Sequence, residues 1–212
     1  MEIYKQALGI YKANCYVLKE EGQCLIIDPG LYADKVELMI GTAKPLAILL
    51  THCHVDHCCA VNDLLKIYDI PVYMNPKDEE LLQWHRRVLS IYRPFLFRGP
   101  YEPITEGTLQ IGPFTVRTYE MPGHTQGSVM YQIENHLFTG DTLFKGKVGI
   151  THKDNGNHDD LRRSAERLKD LDPDLIVNPG HAEDTTVGEE LAHNERLQKL
   201  FEENEKLGLT LD

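Results

Sequence analysis

The chain has 212 residues, 42% apolar and 26% charged, with a formal net charge of −11. That length suits one domain with a sizeable core, expected to span residues 1–212. An acidic chain lacks the basic footprint that phosphate neutralisation demands, which excludes nucleic acid and anionic membrane surfaces as general partners.

The opening MEIYKQALGIYKANC has no basic stretch leading into a long apolar run, so no secretory leader is expected. No segment reaches the ~18 apolar residues of a membrane span. Of the five cysteines, Cys53, Cys58 and Cys59 are crowded together. An odd, clustered set is poor material for disulfides and predicts a reducing, cytoplasmic setting.

Apolar runs at Cys15–Leu18 and Cys24–Ile27 predict a hairpin, ended by Asp28-Pro29-Gly30. Val36, Met39 and Ile40 predict a short helix, and Ala47–Leu50 a strand buried on both faces. Val61, Leu64, Leu65 and Tyr68 recur at helical spacing, followed by a strand over Ile70–Met74. Leu81, Leu82, Trp84 and Val88 suggest a helix, leading into a basic stretch with Arg86, Arg87, Arg93 and Arg98 that reads as a cap. Strands follow over Leu109–Ile111, Phe114–Glu120, Val129–Ile133 and His136–Thr139. Leu161, Ala165, Leu168 and Leu171 mark a helix, Leu175–Val177 a last strand, and Leu191 to Phe201 an amphipathic closing helix. The order predicts an α/β fold, with two sheets packed face to face and helices outside.

The chemistry concentrates in Thr51-His52-Cys53-His54-Val55-Asp56-His57, directly after the apolar strand. Imidazole suits zinc, iron and similar divalent metals, and carboxylate adds charge compensation. His52 and His54, two apart, can point the same way in an extended segment, leaving Asp56 and His57 to turn towards a second point. Three more ligand types stand just beyond strand ends, each after a glycine: His124, Asp141 and His181. Sites in α/β proteins tend to lie at such edges.

Taken in order, the Asp28-Pro29-Gly30 turn, the THxHxDH loop, the PGHT segment at 122–125, GDTLF at 140–144 and the PGH ending at His181 resemble the metallo-β-lactamase superfamily. Within it, the chain is similar to the glyoxalase II-like small hydrolases. The resemblance implies an αββα sandwich of two mixed sheets with helices on both outer faces. It also implies His52, His54 and His124 at one metal, Asp56, His57 and His181 at a second, and Asp141 bridging both. Seven ligands are too many for one ion, whereas catalytic zinc keeps a position open. Two divalent ions, expected as Zn2+ with Fe or Mn as alternatives, would supply a bridged hydroxide to attack the carbonyl of a small acyl substrate. A thiolate leaving group needs little protonation, which fits a thioesterase-like reaction without a separate acid.

Glyoxalase II enzymes hold a glutathione carboxylate with a basic residue nine positions after the bridging aspartate. Here that position is Ile150, with His152 two further on. Lys145, Lys147, Arg86, Arg87 and Arg93 are the candidates for anion binding in its place. The alternative activities are a lactonase and a mononuclear iron persulfide dioxygenase, and the expected assembly is a monomer or homodimer. His85, His136, His152, His158 and His193 read as surface or hydrogen-bonded residues. Cys53, Cys58 and Cys59 read as small packed side chains.

Overall fold

The structure is a computed structural model that describes residues 1–88, 97–151 and 155–208, with side chains of 84–88 left aside. In chain order the first half holds β1 (Glu2–Leu8), β2 (Ala13–Glu20), β3 (Gln23–Ile27), α1 (Ala33–Ile40), β4 (Lys44–Leu49), α2 (Val55–Cys58), α3 (Val61–Leu64), β5 (Val72–Met74), α4 (Glu79–Val88) and β6 (Glu102–Pro103). The second half holds β7 (Gly107–Ile111), β8 (Phe114–Glu120), β9 (Val129–Ile133), β10 (His136–Gly140), β11 (Leu143–Phe144), β12 (Lys147–Val148), α5 (His158–Arg167), β13 (Ile176–Pro179), β14 (Thr185–Thr186), α6 (Val187–His193) and α7 (Glu195–Leu207).

Twelve strands form two six-stranded sheets, β1-β2-β3-β4-β5-β6 and β14-β13-β10-β9-β8-β7, and β11 and β12 pair by themselves as an antiparallel two-stranded ribbon. Both six-stranded sheets are mixed: β3, β4, β5 and β6 pair in parallel, as do β10 and β13, and the remaining neighbours are antiparallel. Side-chain parity builds the layers. Tyr16, Leu18, Leu25, Ile27, Ala47 and Leu49 point inward against Phe114, Val116, Val129, Tyr131, Ile133 and Phe138 of the other sheet. Their neighbours Cys15, Val17, Cys24, Ile26 and Ile48 point outward and are covered by Val36, Met39 and Ile40 of α1, Val61 and Leu64 of α3, and Leu81 and Leu82 of α4. On the far side, Met130, Leu137 and Val177 are covered by Leu161 and Ala165 of α5 and by Leu197, Leu200 and Phe201 of α7. Strands with both faces buried read as unbroken apolar runs, since each side chain gains about 1.5–3 kcal/mol wherever it points. The result is the expected αββα sandwich.

Three elements differ from their sequence patterns. The closing helix expected over Leu191 to Phe201 is two helices, α6 and α7, parted at Asn194, whose side chain caps the second. Regular helix ends at Leu64 because backbone bonding then alternates: Leu65 and Tyr68 bond four residues back, Lys66 and Ile67 three back. The helical spacing of Leu65 and Tyr68 survives, and both still pack on the core. The first strand, β1, is polar and largely exposed, so it lacks the apolar run that marks its neighbours. In the basic stretch, the side chains of Trp84, Arg86, Arg87 and Val88 and residue Arg93 lie outside the described residues. Among the described residues, no helix is long and apolar enough to cross a membrane.

Candidate metal centre

Four strands deliver their following residues to one edge of the sandwich: β4 leads to His52–His57, β8 to His124, β10 to Asp141 and β13 to His181. The structure brings all seven together. The donor atoms of His52, His54 and His124 lie within 4.8 Å of one another, and so do those of Asp56, His57 and His181. Between the groups stands Asp141. Its Oδ1 is 3.4 Å from His57 Nε2, and its Oδ2 is 3.6 Å from His124 Nε2 and 3.5 Å from His181 Nε2. Asp56 Oδ2 lies 3.7 Å from His57 Nε2 and 3.4 Å from His181 Nε2.

The spacing is that of ligands around a cation. Two atoms each about 2.0–2.1 Å from one tetrahedral ion are separated by roughly 3.3–3.4 Å. His52 Nε2 and Asp141 Oδ1 are buried acceptors without a hydrogen-bond partner. Leaving such atoms unpaired costs about 1–3 kcal/mol each, a cost that a cation removes. The residues present therefore fit divalent metal. A third cluster, Asp28 with His52 and His57, is different. Asp28 is already satisfied by the Thr51 amide at 2.8 Å, the Thr51 hydroxyl at 2.6 Å and His57 Nδ1 at 3.0 Å. It orients ligands instead of being one.

The ring nitrogens confirm that assignment. His57 Nδ1–H donates to Asp28, and His124 Nδ1–H donates to the Ile150 carbonyl at 2.7 Å. The Thr51 hydroxyl donates to Asp28, so its oxygen is left to accept from His52 Nδ1–H at 3.1 Å. In all three rings Nε2 is the nitrogen left to face the cluster. Backbone close approach matters equally at Gly180, where a Cβ would lie 2.2 Å from Asp141 Oδ1 and 2.8 Å from His57 Cε1.

Electrostatics divides the two groups. Burial pushes the His52 imidazolium well below its ordinary range and His54 down to about 3, helped by their imidazole neighbours. Burial also opposes charging of His57 and His181, but Asp141 and Asp56 outweigh it, aided at His57 by Asp28, and raise them to about 9 and about 10. Asp56 and Asp141, penalised by burial, are nevertheless held below the usual carboxylate range by those imidazoles. His52 and His54 are thus neutral, whereas His57 and His181 hold protons that a cation must displace.

Other histidines stay apart: His136 Nδ1 meets Asn178 Oδ1 at 2.8 Å, His158 Nε2 meets Glu203 at 2.8 Å, and His193 is exposed. His85 and His152 fall outside the described side chains. All five cysteines are free and buried, and Cys53 turns its Sγ towards Met74 Sδ at 3.7 Å, into the core. Burial pushes the thiols of Cys53 and Cys58 well up. Lys145 pairs with Glu183 at 2.9 Å. Lys147 lines a cavity of about 520 Å³ with Ile150, Arg196 and Lys199, beside the segment whose carbonyl holds His124. Sequence patterns gave Asp28 only a turn and Ile150 only a departure from glyoxalase II. The orienting role of each depends on contacts across the fold.

Fold and cluster together define a metal-binding class built on two stacked mixed sheets. The chain belongs to the metallo-beta-lactamase superfamily, whose family model matches residues 8–181. It is 36% identical over 200 residues to the "Probable metallo-hydrolase YqgX" of Bacillus subtilis, covering 88% of this chain and 93% of that one. Among solved structures it is similar to TTHA1623 in a di-iron-bound form, at 32% identity and a TM-score of 0.81, covering 91% of this chain and 98% of that one. It is also similar to the BLEG-1 B3 metallo-beta-lactamase, at 34% identity and a TM-score of 0.82, covering 92% and 98% respectively.

Proposed function

We propose that this protein is a metal-dependent hydrolase that holds two divalent ions and cleaves a thioester or related acyl bond of a small molecule, as glyoxalase II-like enzymes do. The observation that carries the reading is the pairing of two three-residue donor groups across one shared carboxylate, Asp141. His52, His54 and His124 would hold one ion and Asp56, His57 and His181 the other, with the Asp141 carboxylate between the two groups. When bound, such ions lower the pKa of water to about 7 and polarise a carbonyl oxygen.

The chain's own residues supply placement. Asp28, the Thr51 hydroxyl and the Ile150 carbonyl fix three imidazoles in the tautomer that presents Nε2. Burial of His52, His57 and His124 keeps water from competing for those nitrogens. A thiol leaves as thiolate near neutral pH, its free pKa being about 8.5, so the reaction needs no further acid. The cavity with Lys147, Arg196 and Lys199 offers cations to an anionic carrier of the acyl group.

The test is elemental analysis of the purified protein for zinc, iron and manganese, run beside hydrolysis of a panel of thioesters, lactones and β-lactams. About two equivalents of metal with preferential thioester turnover is the expected result. A single iron with dioxygen consumption on a glutathione persulfide overturns the hydrolase reading. Selective β-lactam or lactone turnover keeps the hydrolase and overturns the thioester.

A further inference from the structure

Asp78 takes no part in the cluster, yet it is fully buried at the end of the short turn Pro76–Asp78 that follows β5. Four donors converge on its carboxylate. The Cys53 amide at 2.9 Å and the Thr125 hydroxyl at 3.0 Å reach Oδ2, while the Gly127 amide at 2.7 Å and Asn155 Nδ2 at 3.0 Å reach Oδ1. All four are neutral groups. A buried carboxylate costs several kcal/mol to desolvate, and a fold retains one where donors are aimed at both oxygens.

Three of the donors come from the stretches that carry three of the ligands. Cys53 stands between His52 and His54, and Thr125 follows His124. The second stretch wraps tightly: a Cβ at Gly127 would lie 2.6 Å from Asp78 Cγ and 2.7 Å from its Oδ1. One carboxylate therefore sets the distance between a loop leaving β4 in the first sheet and a loop leaving β8 in the second. Those loops close on each other where His54 Nδ1 and His124 Nε2 stand 2.9 Å apart.

We propose that Asp78 is a positioning residue for the ion held by His52, His54 and His124, acting by tying the Cys53 amide to the Thr125–Gly127 turn. The inference rests on the two-ion reading of the centre. An amide at position 78 keeps the shape, but whichever way it turns, its NH2 faces a backbone N–H that cannot accept, that of Gly127 or that of Cys53. Each loop then has cause to part from the other, and the imidazoles they carry lose their common focus. Asp56, His57 and His181 receive nothing from Asp78, so the second ion keeps its ligands.

The experiment is competitive zinc titration of metal-stripped protein, wild type against Asp78→Asn, with His181→Ala used to assign which constant belongs to which ion. Asp78→Asn is expected to weaken the His52–His54–His124 ion about 10- to 100-fold and leave the other constant unchanged, with an unaltered far-ultraviolet circular dichroism spectrum. Thr125→Val removes one donor while the Cys53 amide remains, so a smaller loss at the same ion is expected, and this variant decides the matter should Asp78→Asn fail to fold. Unchanged constants in the folded variants, or an equal loss at both ions, overturn the proposal, because a purely structural brace would not select one ion. A wild type that binds a single ion overturns the two-ion reading instead. Asp78→Asn must then weaken that one ion for the positioning role to stand.

Discussion

A buried imidazole has two nitrogens, and only one can face an ion. At His57 the choice is made by Asp28, whose Oδ2 receives both the ring N–H and the Thr51 hydroxyl while Oδ1 receives the Thr51 amide. In Asp28→Asn every orientation of the amide sets its NH2 against a donor, so His57 loses its enforced tautomer. The expected outcome is a 10- to 100-fold fall in metal affinity or in kcat/KM with the protein still folded, measured by zinc competition and steady-state kinetics. The seven cluster residues were legible in the sequence because their chemistry is carried by side-chain type, and each follows a strand end. Asp28 was legible only as a turn former. Its left-handed backbone, with φ near 49°, does serve the turn, but the carboxylate's partners lie some twenty-five residues away in sequence. The Ile150 carbonyl left no sequence mark at all, since every residue has one. Asp78 sits in an Asn75-Pro76 turn where an acidic residue ordinarily caps a helix, and nothing local distinguishes it.

At the scale of elements, the two sheets are joined through large inward side chains that alternate along each strand. Phe138 of β10 meets Tyr16 of β2 edge to face with centroids 5.1 Å apart, and the Tyr16 hydroxyl donates to the Pro179 carbonyl at 2.7 Å. That pair joins the sheets close to the strand end that precedes His181. Phe138→Ala removes a fully buried ring and its aromatic partner, so a loss of about 3–5 kcal/mol is expected. It should appear as a lower denaturant midpoint with unchanged slope in equilibrium unfolding. A loss confined to activity, with stability intact, would refute this packing. Central strands such as β2, β3 and β4 were readable because burial on both faces leaves uninterrupted apolar runs. The edge strand β1 was not, because its outer positions are polar and exposed, as an edge requires. The stretch after α3 shows the converse: side-chain periodicity outlasted regular backbone bonding, since Leu65 and Tyr68 stay on the core side while the turns tighten.

Over the whole molecule, each donor group draws on both sheets. His52, His54, Asp56 and His57 leave the first sheet, and His124, Asp141 and His181 leave the second. The sequence showed two halves with ligands in each, but not which strands lie side by side, because pairing order is decided by contacts far apart in the chain. The observed order places each donor group across the seam between the sheets, where a bound ion would draw ligands from both. Such an ion binds the native arrangement and has no equivalent in the unfolded chain, so it stabilises by mass action. At a free concentration a hundred times its Kd, one ion contributes about 2.7 kcal/mol, and two contribute about 5.4 kcal/mol. For a chain of this size each kcal/mol moves Tm by about 2–4 °C. Zinc added to metal-stripped protein is therefore expected to raise Tm by about 10–20 °C, and excess chelator to reverse it, read by calorimetry at fixed pH. Both ions must contribute, since each group takes ligands from both sides of the seam: removing the Asp56, His57 and His181 group by His181→Ala should forfeit about half the rise. A Tm indifferent to metal would mean that the two sheets meet at this edge without any cation between them, and the seven donors would have to be satisfied in some other way.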